Sequence, residues 1–523
     1  MLDLTGKDLA IDSLWAAAQG EECQLAESAR PAMLRCRAYV DRLAAEPRAI
    51  YGINTGFGPL SAHRVSQEDL AQHQLNLLHH LSSGQGELFS PLETRAIVVA
   101  RCNSLCRGHS GIRPEVLDLA LAAMNAGLLP EIPQEGSVGA SGDLVPLAHM
   151  ARSIVGLGFV RDAEGERLPA ADALRAAGLE PAVLQAKEGL ALVNGTSVMT
   201  GTTGLSVAES KQLLGWSELL SACLFQVHSG APEVLCAFTH RARNHKGQRQ
   251  VAHRIATHLR THPAYDQLIE RHAWGTDAKP VEAGVEIQDP YSLRCVPQVL
   301  GAFQDALWHI ERVVVDELNA TTDNPLIFPD HEMVIHAGHF YGQHVSMVAD
   351  YLRLGLVKLA LLLDRQLEQL VNWRYSRGLP PMLSGGAPGL NSGLMGCQLL
   401  ATSLAAEARM LATPASVQTI PTNANNQDVV SMGTHAARWT RRVLPLVWKL
   451  SAIQAIALCQ AADLRDDTDR ILGTDFRTLY QAVRAVSPAV AEDRPLFEDI
   501  DRVVGVLQSP ALQAALLPLR RAG

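Results

Sequence analysis

The sequence predicts a mainly helical fold built around long, buried helices. Alanine and leucine dominate a composition in which 47% of residues are apolar, 19% are charged and only 5% are aromatic. This mixture favours helix over strand and suffices for a large core. Segments 346–373, 391–411 and 434–462 are long, contain few helix breakers and are apolar around much of their circumference. Such helices must be buried on all sides, which indicates a bundle core or a subunit interface.

The chain changes character near residue 202. Residues 1–202 alternate helical segments with Gly-rich turns, and these turns hold most of the candidate functional residues, as loops on a rigid scaffold often do. The long helices follow, and shorter helices interrupted by prolines complete the chain from about residue 466. We therefore expect an N-terminal domain over 1–202 and a long-helix bundle and oligomerisation domain over 203–523.

Charge and cysteine content argue against several classes of function. The net charge of −9 offers no basic surface for nucleic acid, and nine cysteines without a C-x-x-C pair fit reduced thiols in a cytoplasm. No metal site is expected, because His331 and His336 are one residue too far apart for a zinc protease motif. The N-terminus has no apolar export segment, and the apolar run 352–363 is too short to span a bilayer. We expect a cytoplasmic protein with no nucleic-acid or membrane partner.

The segment Gly139-Ala140-Ser141-Gly142-Asp143 can provide a strong electrophile, which no side chain supplies. Attack of the Gly142 amide nitrogen on the carbonyl carbon of Ala140 closes a five-membered ring. Loss of one water from the ring and of a second from Ser141 leaves a 4-methylidene-imidazol-5-one (MIO). Gly142 can adopt the strained backbone angles that this attack requires, because it has no Cβ. The alternative interpretation, favoured for an isolated Ala-Ser-Gly, is a turn in which Asp143 caps a helix.

Four further segments decide between these interpretations. The run 136–149 resembles the prosthetic-group segment of the histidine and aromatic amino-acid ammonia-lyases, and segments 51–58, 192–196, 289–295 and 423–428 resemble that family in the same order. The resemblance implies an all-α fold of the histidine ammonia-lyase type. It implies the MIO group, formed by an Ala140–Gly142 cross-link and a dehydrated Ser141, with no metal and no diffusible cofactor. It also implies a homotetramer whose active sites take loops from three subunits, with the Tyr51 loop and the prosthetic ring on different chains.

The resemblance also assigns roles to individual side chains. Tyr51 would be the base that takes the β-proton, and because a phenol titrates near pH 10, its pKa must be lowered by hydrogen bonds or positive charge. Arg294 would bind the substrate carboxylate with its planar pair of donors. Tyr291 would donate a hydrogen bond near the prosthetic ring, and Asn194 would help to orient the substrate. The other substrate contacts that the resemblance implies are Gly58, Asn324 and Asn423.

Two positions bear on which amino acid is bound. Histidine-specific relatives have a Ser-His pair where this chain has His79-His80-Leu81, and they have Glu where it has Gln427. The pair His80-Leu81 resembles the tyrosine-selective bacterial lyases, whereas phenylalanine-selective relatives tend to place Phe before the Leu. Burying a para-hydroxyl without a partner costs about 1–3 kcal/mol, and His80 could bond it, although it could equally be a satisfied core histidine. The expected ring pocket is lined by Leu81, Leu144 and Phe340.

We therefore expect an ammonia-lyase that acts on a small-molecule aromatic amino acid and converts L-tyrosine to trans-4-coumarate and ammonia. A tyrosine 2,3-aminomutase that uses the same electrophile stays open, as do histidine and phenylalanine as substrates. From a different class, the chain could be a catalytically silent helical scaffold that kept the motifs. Intact mass tests this last alternative, because ring formation makes the chain lighter by two waters.

Overall fold

The computed structural model describes residues 1–262, 265, 288–387, 389–465 and 472–517. Parts of the expected C-terminal tail, 466–471 and 518–523, lie outside the described residues. Within the described ranges the chain forms 19 α-helices and only short strands. This architecture confirms the all-α, long-helix class that the sequence predicts.

The helices vary widely in length, and the four longest are α9, α13, α14 and α16. In chain order they are α1 (Ile11–Ala18), α2 (Arg30–Ala44), α3 (Leu70–Leu81), α4 (Pro91–Leu105), α5 (Pro114–Asn125), α6 (Leu144–Ile154), α7 (Ala170–Ala176), α8 (Glu188–Val193), α9 (Ser197–His228), α10 (Ala237–Arg241), α11 (Lys246–Arg260), α12 (Tyr291–Arg294), α13 (Val296–Leu318), α14 (Gln343–Val371), α15 (Met395–Met410), α16 (Gly433–Asp463), α17 (Thr474–Arg484), α18 (Phe497–Gln508) and α19 (Pro510–Leu516).

The strands are short and form four small sheets. They are β1 (Leu2–Leu4), β2 (Cys23–Leu25), β3 (Gln85–Leu88), β4 (Leu129–Pro130), β5 (Pro133–Glu135), β6 (Phe159–Arg161), β7 (Arg167–Pro169), β8 (Leu326–Phe328) and β9 (Met333–Ile335). Strands β1 and β2 pair in parallel, whereas β3–β5, β4–β6–β7 and β8–β9 are antiparallel.

Two of these pairings position loops that line the cavity described in the next section. Strand β5 pairs with β3, with Gln85 opposite Glu135, and the Gly-rich segment from Gly136 follows immediately. Strands β8 and β9 pair with Leu326 opposite Ile335, so the residues just before β8 and just after β9 lie side by side. Each sheet thus anchors the start of a loop, and the loop itself has no regular secondary structure.

The described residues form two compact units. Unit 1 comprises Met1–Ala208, Ile310–Tyr351 and Pro414–Arg441, and unit 2 comprises Glu209–His309, Leu352–Thr413 and Arg442–Gly523. The first segment of unit 1 ends close to the boundary expected after residue 202, whereas its other two segments come from the region assigned to the helix bundle. The division into domains 1–202 and 203–523 stays a prediction.

Local sequence explains where the elements begin and how they are buried. Helix α4 starts with a capping box, in which the Ser90 side chain accepts from the Glu93 backbone N–H and the Glu93 carboxylate accepts from the Ser90 backbone N–H. Helix α16 is the one described helix that is long and apolar enough to cross a membrane by composition, with a mean hydropathy of 1.5. Its most apolar window is 89% buried within the fold, as in the core helix of a soluble protein.

Candidate active site

A cavity of about 900 Å³ lies in unit 1 and collects nearly all of the side chains singled out from the sequence. It is open to solvent, and most of its wall is made by loops and helix ends, with Leu77 of α3 and Leu190 of α8 contributing from within helices. The predicted site residues that line it are Tyr51, Gly58, His80, Leu81, Ala140, Ser141, Gly142, Leu144, Asn194, Asn324, Phe340, Asn423 and Gln427. Segments separated by several hundred residues in sequence therefore meet at one place.

The two remaining predicted catalytic residues do not line this cavity. Tyr291 and Arg294 form helix α12 in unit 2, where the Arg294 guanidinium lies 4.9 Å from the centroid of the Tyr291 ring. Tyr291 is 70% exposed, and Arg294 donates to Gln288 Oε1. Their roles in catalysis and carboxylate binding stay predictions.

The backbone of the Ala-Ser-Gly segment is held in a conformation that only glycine accepts at its end. Gly142 has a φ of +67° and pairs with Gly195 in a parallel β-bridge. A Cβ at Gly142 would lie 2.1 Å from the Gly195 carbonyl oxygen, so no other residue fits without moving the backbone. The Asp143 backbone N–H continues the contact, donating to Gly195 O at 2.7 Å.

Asp143 is a fully buried carboxylate directly after this segment. It accepts hydrogen bonds from Ser137 Oγ at 3.1 Å, from the Met199 backbone N–H at 2.9 Å and from the Thr434 hydroxyl. Burial raises its pKa to about 6, although these hydrogen bonds act in the opposite direction. The interpretation of Asp143 as a cap for the helix that follows it is wrong: its side chain makes no capping bond to α6 and instead caps the start of α9, where its charge meets the helix dipole.

Ser141 reaches the cavity and is contacted by a side chain from the far end of unit 1. Gln427 Nε2 donates to Ser141 Oγ at 2.9 Å. Nearby, Ser431 Oγ donates to the Gly139 carbonyl oxygen at 3.0 Å. Gln427 and Ser431 therefore bring the segment that follows Asn423 into direct contact with the Ala-Ser-Gly segment.

Tyr51 is half-buried at the cavity wall, where its ring meets the His336 ring edge-on with centroids 5.8 Å apart. Burial raises the pKa of Tyr51; a hydrogen bond from the Gly58 backbone lowers it, and the Asp323 carboxylate raises it again. The lowering of this pKa that a base requires is therefore not provided by the described residues of one chain. The cause is that the described surroundings of Tyr51 provide burial and a carboxylate, and one backbone hydrogen bond does not outweigh them.

The expectation that Tyr51 and the Ala-Ser-Gly segment belong to different chains is also wrong. Both line the cavity of one chain. The reason is local packing: a Cβ at Gly52 would lie 2.6 Å from Pro325 Cδ and 2.9 Å from Leu190 Cδ2, so the Tyr51 segment rests closely on other parts of unit 1.

The cavity amides are linked to one another. Asn194 Nδ2 donates to the Asn324 carbonyl oxygen at 3.0 Å, and the Ala337 backbone N–H donates to Asn324 Oδ1 at 2.8 Å. Asn194 Oδ1 is buried and has no hydrogen-bond partner among the described residues. An unsatisfied buried acceptor is costly, so this oxygen is available to a donor such as a substrate amine.

His80 lies at the C-terminal end of α3, is exposed and lines the cavity beside Leu81. It is therefore not a buried core histidine. About two helical turns earlier, His73 stacks on Phe57 with ring centroids 4.5 Å apart, and its Nε2 lies 3.0 Å from Thr55 O. These contacts hold the glycine-rich loop 55–58 against α3.

Sequence reasoning overlooked several side chains of the cavity wall. Phe57, Asn426 and Asp428 lie inside the motifs already quoted, so the motifs themselves were the available signal. His336 also lines the cavity; the sequence singles it out only through a zinc motif whose spacing does not fit. In the described ranges, no three His, Cys, Asp or Glu side chains group together as metal ligands.

Comparison with known proteins identifies the family. The profile of the family described as aromatic amino acid lyase matches residues 9–485. The chain is 40% identical to the histidine ammonia-lyase of Geobacillus thermodenitrificans, over 99% of each chain. It is 38% identical to the tyrosine ammonia-lyase of Cupriavidus metallidurans, over 98% of this chain and 96% of the relative. The crystal structure of tyrosine aminomutase from Streptomyces globisporus superposes with a TM-score of 0.90 at 34% identity, over 99% of this chain and 98% of the other. This chain belongs to the aromatic amino acid lyase family and is a member of its ammonia-lyase group of carbon–nitrogen lyases.

Proposed function

We propose that this protein eliminates ammonia from L-tyrosine to give trans-4-coumarate, with MIO formed from Ala140, Ser141 and Gly142 as its electrophile. The observation that carries the proposal is the gathering of this tripeptide, Tyr51 and Asn194 around one cavity. Its alternative, a silent scaffold, gives no reason for a backbone segment held so tightly at the wall of a large opening.

The residues present fit the prosthetic group. Back-attack by the Gly142 nitrogen needs a glycine in a strained conformation, and Gly142 has a φ of +67° with no space for a Cβ. Ala140 and Gly142 are already paired in a β-bridge. Ser141, whose hydroxyl must leave as water, lies at the cavity with its oxygen held by Gln427. When formed, the group supplies an electron-poor carbon that makes the substrate amine a better leaving group.

Other side chains of the cavity then remove the proton, bind the substrate amine and exclude water. Tyr51, as phenolate, takes a proton from the substrate β-carbon, the carbon–nitrogen bond breaks, and the electron pair of the former C–H bond becomes the new double bond. Asn194 accepts from the substrate amine through its unpartnered Oδ1, and Asn324 holds Asn194 in place. The glycine-rich loop with Phe57 and Gly58 covers the substrate and excludes water.

Tyrosine is supported by the pair His80-Leu81 at the cavity wall. His80 is free to bond a para-hydroxyl because it is exposed and lies on the end of a helix, with the apolar side chains of Leu81, Leu144 and Phe340 around the same cavity. Gln427 supports the same choice: it is neutral, whereas an acidic group there would suit an imidazole. Histidine and phenylalanine are the competing substrates to be tested against it.

We also propose a cytoplasmic homotetramer with shared active sites. In a shared site, Arg294 and Tyr291 of a second copy would contact the substrate carboxylate and supply a guanidinium, which is absent from the described residues that line the cavity. An exposed apolar stripe on α14 supports such an interface: Met347, Tyr351 and Leu354 are 60%, 47% and 42% exposed and recur at helical spacing.

A substrate panel tests the proposal. Purified protein is given L-tyrosine, L-phenylalanine or L-histidine, with ultraviolet detection of the unsaturated acid and chromatography for any β-amino acid. We expect the highest kcat/KM for L-tyrosine and no β-tyrosine; a preference for histidine or the appearance of β-tyrosine would overturn the substrate or the reaction proposed.

Intact mass tests the prosthetic group separately. The parent chain should be lighter than its sequence by two waters, and Ser141→Ala should show no such loss and little activity. Ser153→Ala is the matched control, because Ser153 is a buried serine of α6 that donates only to the Met150 carbonyl oxygen. A parent chain of full mass that is nevertheless active would exclude MIO.

A further inference from the structure

Lys187 and Asp323 form an ion pair that is sealed from solvent within unit 1. Lys187 Nζ lies 2.6 Å from Asp323 Oδ2, and the two side chains are 0% and 1% exposed. Removing two charges from water is costly, and an apolar pair of similar size is often as stable. Such a pair is a weak way to stabilise a fold, so its position relative to the cavity becomes the informative feature.

The pair links two segments of the cavity wall. Lys187 has a φ of +70° and directly precedes α8, which is followed by Asn194. Asp323 Oδ1 accepts from the Asn324 backbone N–H at 2.7 Å. Because Asn194 and Asn324 both line the cavity and are hydrogen-bonded to each other, the ion pair holds together the segments that carry these two amides.

Asp323 also acts on Tyr51. After burial and the Gly58 hydrogen bond, its charge is the remaining influence on the pKa of that phenol, and it opposes ionisation. The turn that carries Asp323 is in close contact with the Tyr51 segment, since Pro325 packs against Gly52. A phenolate at Tyr51 therefore forms near a carboxylate, and this is unfavourable unless a cation compensates the carboxylate.

We propose that Lys187 is a positioning residue for Tyr51: its ammonium compensates the Asp323 carboxylate, so that Tyr51 can carry the negative charge of a base, and its ion pair fixes turn 322–325 against the Tyr51 segment. This inference rests on the proposed role of Tyr51 as the base.

The other groups around the pair do not perform this task. Cys36 on α2 interacts with Lys187, but burial raises its pKa to about 11, so it is a neutral thiol. Burial lowers the pKa of His336, which meets Tyr51 edge-on, so it is neutral at pH 7.

Arg101 is fully buried and its charge acts on Asp323, but its guanidinium donates to the Asn194 and Ala191 carbonyl oxygens. Among the described residues, Lys187 is the cation in contact with Asp323.

The pH dependence of kcat/KM tests the inference, with whichever amino acid the panel identifies as substrate. In Lys187→Met, Asp323 is left without its cation, and the limb of the profile that reports ionisation of the base should move to higher pH by about one unit or more. In the double variant Lys187→Met/Asp323→Asn the opposing carboxylate is removed as well, so the limb should return toward that of the parent. If Lys187 had only a structural role, both variants would be less active, and the pH at which this limb occurs would not change.

A matched control and a second variant keep the result unambiguous. Arg254 and Glu218 form another buried pair at 2.7 Å, in unit 2; Arg254→Met should reduce stability without moving the limb. If Lys187→Met does not fold, Lys187→Gln removes the charge but keeps a donor to Asp323, and it should give the same upward shift. A folded charge-removing variant with an unmoved limb would overturn the inference.

Tyr51→Phe distinguishes a failure of the proposed base from a failure of the proposed role of Lys187. If this variant keeps both the activity of the parent and the pH dependence of its kcat/KM, the base is another group and the proposed role of Tyr51 fails. If Tyr51→Phe loses activity while the pH profile of Lys187→Met has its limb at the same pH as that of the parent, the role of Tyr51 as the base is retained and only the role of Lys187 is wrong.

Discussion

Replacing Gly142 by alanine should strongly disturb the segment proposed to form the electrophile. The new Cβ would lie 2.1 Å from the Gly195 carbonyl oxygen and 2.2 Å from its carbonyl carbon. Both are backbone atoms, so no side-chain rotation relieves the contact. The β-bridge between Gly142 and Gly195 must open, and the hydrogen bond from the Asp143 N–H to Gly195 O opens with it.

The cost can be added up from three parts. A positive φ costs an alanine about 1–2 kcal/mol, forcing atoms into a filled space costs about 1–3 kcal/mol, and the lost hydrogen bond contributes about 1 kcal/mol. The sum is about 3–6 kcal/mol. Gly165→Ala is the matched control, because Gly165 has a φ of +82° but nothing within 4 Å of its would-be Cβ. It should cost only the first part, so the two variants should differ by about 3 kcal/mol.

Hydrogen exchange read by mass spectrometry measures this difference where it arises. Peptides that contain the Asp143 amide should exchange about 100-fold faster in Gly142→Ala than in Gly165→Ala, and urea midpoints should fall in the same order. The intact mass of Gly142→Ala should also lack the loss of two waters. Equal exchange in the two variants would refute the claim that close backbone packing holds this segment.

Three further outcomes follow from the site. Tyr51→Phe should lower kcat by about 10²–10⁴-fold with the mass loss of two waters intact, and an unchanged kcat would remove Tyr51 as base. His80→Phe should shift the ratio of kcat/KM for tyrosine over phenylalanine by about 10-fold or more toward phenylalanine, because an unpaired hydroxyl costs about 1–3 kcal/mol; a constant ratio would mean that another group bonds the hydroxyl. Burial raises the pKa of Asp143 from 3.8 to about 6, so between these pH values the folded state binds more protons than the unfolded state. The contribution of Asp143 to stability is therefore full below pH 4 and is lost as the pH rises through 6, by about 3 kcal/mol. Asp143→Asn should remove this slope when its urea midpoints are compared with those of the parent from pH 4 to 7, and an identical slope would contradict the assignment.

Sequence reasoning went furthest where a chemical requirement dictates residue types in a short run. The composition and the long breaker-free segments predicted the helical class, and expected segments 346–373 and 434–462 correspond closely to α14 and α16. The cavity residues from Tyr51 to Gln427 could be selected because their motifs are local in sequence. The ends of these two helices differ from the expected bounds by one to three residues.

What the sequence could not provide was the interaction between distant segments. From its local sequence, Asp143 is expected to cap α6. The fold shows instead that its carboxylate accepts hydrogen bonds from the Met199 backbone N–H at the start of α9 and from the Thr434 hydroxyl. The pKa of Tyr51 is likewise raised first by burial within the fold and then by the carboxylate of Asp323, which is distant in the chain. The Lys187–Asp323 pair was invisible for the same reason, because neither residue is unusual in its local context.

The contacts of the Ala-Ser-Gly segment set an order of events during biosynthesis. The tripeptide leaves the ribosome early, but Gln427, Ser431 and Thr434, which hold Ser141, Gly139 and Asp143, are made almost three hundred residues later. A nascent or truncated chain that ends before them has the cyclising residues without the surroundings that press them together. Under the proposed function, cyclisation should therefore follow the synthesis of residue 434, and products that end before it should lack the electrophile.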